Sequence, residues 1–125
     1  MNNDRSIWSR VKGVFSSGSG PTASKSRATA ERYIEALINQ EFAKAVGMLD
    51  AILSESLSAE KLAEVAAQME SRLGSIGAWK MRKCTFAEEK DVCVAIVKCQ
   101  RGKMRLVVGV HPESQKVGAF LVQPA

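Results

Sequence analysis

The sequence predicts an α+β domain over residues 28–125, with three N-terminal helices packed on a four-stranded curved antiparallel sheet. Three observations lead there. Apolar residues recur at helical spacing up to Gly77 and at a period of two afterwards. The breaks between the later segments are too short for parallel crossovers, so neighbouring strands must form hairpins. The apolar share of 46% suits a packed core and the charged share of 25% a globular surface, which excludes disorder of the whole 125-residue chain.

The first helix is expected from about Ala28 to Asn39. Ala30, Tyr33, Ile34, Leu37 and Ile38 make one apolar stripe, with Glu31, Arg32 and Glu35 facing away. A second helix from about Glu41 to Ser54 repeats the pattern with Phe42, Ala45, Val46, Leu49, Ile52 and Leu53. The third has the best-marked start. Ser58 is a good N-cap, Glu60 lies in the first turn, and Leu57 and Leu62 hold the two places of a hydrophobic staple. Gly74 or Gly77 ends it.

Strands are expected at Trp79–Phe86, Val92–Cys99, Met104–Val110 and Val117–Val122. Closing the hairpins symmetrically sorts their side chains onto two faces. Cys93, Ala95, Val97, Met104, Leu106, Val108, Val110, Val117, Ala119 and Leu121 fall on the face expected to meet the helices. The other face has an apolar centre of Val92, Val94, Ile96, Val107 and Phe120, with a basic rim. A sheet face left wholly to water alternates more cleanly than this. These five residues are therefore the expected interface of a homodimer.

Ahead of the domain, residues 16–29 are rich in Ser and Gly with Pro21 among them, and read as a flexible linker. Residues 1–27 are thus expected to be a tail. Within it, segment 5–15 is amphipathic. Ile7, Trp8, Val11, Val14 and Phe15 recur at helical spacing, and Arg5, Arg10 and Lys12 stand elsewhere. Such a segment suits weak contact with an anionic membrane, or docking in a partner's groove.

The net charge of +5 favours acidic partners in general. No aromatic-bearing central strand of the RNA-binding kind accompanies it, so nucleic acid is not the expected partner. No cofactor motif or metal-ligand spacing occurs, because Cys84, Cys93 and Cys99 form no CxxC and His111 is the single histidine. The three cysteines lie in strand sequence and read as buried reduced thiols. Cys84 and Cys93 fall opposite each other in the assumed register; packed thiols are the expected state and a redox disulfide the alternative. No signal-peptide or membrane-spanning run occurs, so the cytoplasm is the expected location.

Three helices and a curved meander resemble the cone-shaped fold of the nuclear transport factor two superfamily. The chain is also similar to a family of bacterial domains of unknown function found alone or ahead of α/β-hydrolase domains. The likeness is carried by Glu41-Phe42-Ala43-Lys44-Ala45 with Asp50, Leu57-Ser58-Ala59-Glu60-Lys61-Leu62, Leu73-Gly74-Ser75-Ile76-Gly77 and Lys116-Val117-Gly118-Ala119-Phe120-Leu121-Val122-Gln123-Pro124. It implies the fold and an accessory role, and no reaction. Enzymes of the wider superfamily pair an acid with a histidine inside the cone. Here the residues for such a site are Tyr33, a polar tip on a core stripe, Asp50 on the apolar side of the second helix, and His111 at a strand end. The plainer readings are core packing for Tyr33, a stripe-edge position for Asp50 and an exposed turn for His111.

The reading that follows is a non-catalytic binding or dimerisation module. A small-molecule or enzymatic cone using the helix–sheet cavity is the second, and a peripheral protein drawn to anionic membrane or nucleic acid the third.

Overall fold

The computed structural model describes the backbone from residue 21 to residue 125 and side chains from residue 25. Its element order is α1 (Pro21–Ile38), α2 (Phe42–Gly47), α3 (Ala51–Ser56), α4 (Ala59–Leu73), β1 (Ile76–Ala87), β2 (Lys90–Cys99), β3 (Gly102–Val110) and β4 (Val117–Pro124). The strands form one antiparallel sheet in chain order, so β1 and β4 are its edges. No helix of the described residues is long and apolar enough to cross a membrane.

Two helix expectations need correction. The first helix begins at Pro21, inside the stretch read as linker. Proline fits a helix start, where its missing N–H is not needed. Ser26 and Thr29 are buried there, ahead of the stripe of Ala30, Tyr33, Ile34 and Leu37, so the folded unit starts before residue 28. The helix expected over 41–54 is two helices, α2 and α3, which makes four helices in the described residues. The break has a clear cause. Leu49 bridges to Val117. The N–H of Asp50 donates to the Val117 carbonyl at 2.8 Å, and the N–H of Val117 donates to the Met48 carbonyl at 2.8 Å. A backbone committed to a strand cannot also continue the helical ladder, and Asp50 caps the new helix. Ile52, read as part of the apolar stripe, is left 79% exposed.

Helix α4 forms as its sequence dictates. Ser58 accepts from the Lys61 N–H at 3.2 Å. Leu62 is fully buried. Gly74 ends the helix at φ 85°, a conformation in which a side chain is strained. A β-carbon there would also come within 2.6 Å of Gln100.

The expected faces of β2 and β3 hold. Cys93, Ala95, Val97, Leu106, Val108 and Val110 join α1, α2 and α4 in the main core. Strand β4 departs from the expectation. Gly109 pairs with Ala119 but Val110 pairs with Val117, which leaves Gly118 as the extra residue of a bulge. A one-residue slip sends every following side chain to the other face. Phe120 and Val122 therefore pack on the helix side, where the Phe120 ring meets Tyr33 edge-on at 5.2 Å between centroids. Leu121 goes to the open side with Val92 and Val107. Phe120 thus leaves the face proposed for dimerisation.

The cysteine expectation is corrected too. A bulge at Arg82 in β1 leaves Cys84 facing Cys93 across the first hairpin, and the two are joined as a disulfide. Cys99 is the free thiol.

Candidate functional site

Three places on the domain bring polar or apolar side chains together, and two of them hold residues that the sequence singles out. The first is the junction of α3 with the β3–β4 turn, where the structure brings Asp50 and His111 together. His111 Nε2 lies 2.8 Å from Asp50 Oδ2. The other oxygen, Oδ1, accepts from the Leu53 N–H at 2.7 Å and caps α3. Burial raises the carboxyl's pKa, but the Leu53 N–H, His111 and Lys90 outweigh it and hold Asp50 below the usual carboxylate range. The imidazole rests against Gly118, where any β-carbon would collide with it. Both carboxylate oxygens are engaged and the ring is backed by main chain, so the pair is a latch between α3, the β3 end and the β4 bulge.

Tyr33 stands apart from this pair. Its side chain is wholly buried and its hydroxyl has no hydrogen-bond partner in the described structure. Burial pushes the phenol pKa well up, which keeps it neutral. The three residues expected of a cone-mouth enzyme thus resolve into one bonded pair and one core ring.

No protein-family model, curated protein or solved structure matches this chain.

The second place was missed in the sequence. Ser26 Oγ donates to Asp91 Oδ2 at 2.6 Å, and Gln115 Nε2 donates to Ser26 Oγ at 3.1 Å. Thr29 Oγ1 donates to Gln115 Oε1 at 2.6 Å, and Gln115 Nε2 also reaches the Pro112 carbonyl at 2.9 Å. The network ties α1 to β2 and to the β3–β4 turn. Asp91, Ser26 and Thr29 are buried, so each needs these partners. One signal was readable: Asp91 heads the alternation that continues through Cys93, Ala95 and Val97, which puts a carboxylate on the core face. Its hydrogen-bond partner Ser26 lies 65 residues away, and no local pattern announces it.

The third place is the open sheet face. Val92, Val94, Ile96 and Val107 line a shallow groove there, as expected. Arg82, Lys83, Lys103 and Arg105 border it, and among the described residues no Asp or Glu side chain does. Among these, Val92 and Val107 are buried, and Val94 and Ile96 are half-buried. Ile7, Trp8, Val11, Val14 and Phe15 lie outside the described residues.

Neither free-thiol nor histidine chemistry gains support from these surroundings. Burial and the nearby Glu70 push the Cys99 thiol pKa up, which disfavours the nucleophilic thiolate. His111 has its Nε2 tied to a carboxylate that serves a helix cap.

Proposed function

We propose that the domain is a non-catalytic binding module that takes an acidic partner segment on its open sheet face. One observation carries the reading: the groove of Val92, Val94, Ile96 and Val107 is bordered by Arg82, Lys103 and Arg105 and, among the described residues, by no Asp or Glu side chain. Apolar side chains on the partner would fill the centre, and flanking Asp or Glu would meet Arg82, Lys103 and Arg105. Electrostatic matching of this kind sets orientation and association rate, while the apolar centre supplies most of the affinity. The resemblance to bacterial domains with an accessory role supports the same class of function.

Homodimerisation through this face is the competing reading. It gains the same apolar burial, but two copies bring Arg82, Lys103 and Arg105 together with no Asp or Glu side chain among the described groove residues to offset them. The test is a titration of the ¹⁵N-labelled chain with two peptides, one a Leu/Ile stripe flanked by Glu and the other its Lys-flanked counterpart. The proposal expects the acidic peptide to shift Val94, Ile96 and Val107 amides, with binding weaker at high salt and lost in Ile96→Asp. Equal binding of both peptides, or a mass that doubles with concentration and falls to monomer in Ile96→Asp, would replace it with the dimer.

A further inference from the structure

We infer that the crevice between α4 and edge strand β4 binds a single-chain anionic amphiphile of the long-chain carboxylate class. This site shares Lys103 with the open-face groove and no other lining residue, and it does not depend on the role proposed for that face. Helix α4 contributes Val65 and Met69 to one wall, and β4 contributes Phe120 and Val122 to the other. The crevice has a volume of about 540 Å³, within the range of small-molecule sites. Next to it lies a small, partly open pocket of about 20 Å³. The two share Val65, Met69 and Phe120 as walls, so these three side chains stand between them.

The polar residues of the crevice name the head group. Among the described residues they are Gln68, Arg72 and Lys103, with no Asp or Glu. Arg72 is exposed and makes no ion pair with any described residue. An apolar trough with two cations at its mouth is complementary to a molecule with an alkyl chain and one anionic end. Arginine meets a carboxylate through two parallel hydrogen bonds, which favours a carboxylate head over a neutral hydroxyl. The chain's own fold builds the trough on purpose of register: the Gly118 bulge turns Phe120 and Val122 to this side, and an unslipped β4 would leave the wall without them.

The probes are dodecanoate, dodecanol and dodecyltrimethylammonium, each below its micellisation limit, titrated into the full ¹⁵N-labelled chain. Dodecanoate is expected to bind saturably at one site, with amide shifts at Val65, Met69, Phe120 and Val122. The cationic probe should bind at least roughly tenfold more weakly, the size of one charge-assisted hydrogen bond. Arg72→Glu, a surface change that leaves thermal unfolding in place, should weaken dodecanoate to a similar extent and narrow the gap to the cationic probe. The proposal is overturned by equal binding of all three probes, by full affinity in Arg72→Glu, or by no saturable binding of dodecanoate. Shifts confined to residues 5–15 or to Val92, Val94 and Ile96 would also overturn it, because they would place the amphiphile on the N-terminal segment or the open face.

Discussion

Asp50 holds His111 with one carboxylate oxygen and the first turn of α3 with the other, at 2.8 and 2.7 Å. A residue that fits the edge of an apolar stripe is therefore the pivot at which one expected helix becomes two. The backbone groups of Met48 and Asp50 are bonded to Val117, so cap, latch and bridge meet within three residues.

Removing the Asp50 side chain should cost more than neutralising it. Asp50→Ala loses the cap, worth about 1 kcal/mol, together with the His111 contact. Asp50→Asn keeps a capping oxygen and loses the charge. Because the folded state depresses this carboxyl's pKa, its contribution is present above the ordinary carboxylate range and is lost as pH falls through the folded value. Urea unfolding of wild type and both variants across the acid range checks this. Asp50→Asn should show a flatter acid decline than wild type; an unchanged decline would assign the acid sensitivity to other groups.

Gly118 has no room for a side chain because the His111 ring occupies the place of its β-carbon. Gly118→Ala is expected to destabilise by about 1–3 kcal/mol, the usual cost of forcing volume into packed surroundings. His111→Ala vacates that place, so the double variant should be more stable than the sum of the single costs implies. Strictly additive costs in a chemical-denaturation cycle would show that the ring swings aside without penalty.

The fold was legible where one local pattern sufficed. Ser58 with the Leu57–Leu62 staple marked α4, and the alternation of Cys93, Ala95 and Val97 marked the core face of β2. What escaped was set by long-range pairing. The Met48–Asp50 break depends on Val117, and Pro21–Arg27 reads as linker by composition although Ser26 has a buried partner in β2. The face of Phe120 turned on one inserted glycine, which a period of two cannot reveal. At the candidate sites, Asp50 and His111 were found singly and their contact was not, while Val92, Val94, Ile96 and Val107 were read correctly as one face.

That correction separates two substitutions that sequence alone would group together. Phe120→Ala removes a ring that packs on Tyr33 and should cost about 3 kcal/mol of stability. Ile96→Asp puts a charge on a half-buried open-face position and should alter association far more than folding. Melting temperature and peptide affinity measured on both variants decide it. The reverse pattern would mean that the β4 register is the unslipped one.

The Cys84–Cys93 bond closes a loop with a sequence separation of 9. Its constraint on the unfolded chain is worth about 2–3 kcal/mol in the loop-entropy account. A reducing compartment such as the cytoplasm would open it. Thermal unfolding with and without a phosphine reductant should therefore differ by several degrees in wild type, and not at all in Cys84→Ala. Equal melting of wild type under both conditions would show that the paired strands hold this end of the hairpin without the bond.

The last prediction concerns where the domain begins. Composition places the boundary at residue 28, but Ser26 is buried and donates to the equally buried Asp91, whose carboxylate has no other hydrogen bond in the described structure. Truncation to residue 21 keeps that bond, and truncation to residue 28 removes it along with the first turns of α1. A buried carboxylate stripped of its partner is costly, about 3 kcal/mol or more. The shorter protein should therefore melt many degrees below the longer one, and Ser26→Ala in the longer one should recover part of the difference as a loss of its own. Asp91→Asn replaces the buried carboxylate by an amide of the same shape and should shrink the gap between the two truncations. If the two truncations melt together, α1 contributes nothing before Ala28 and the boundary read from composition stands.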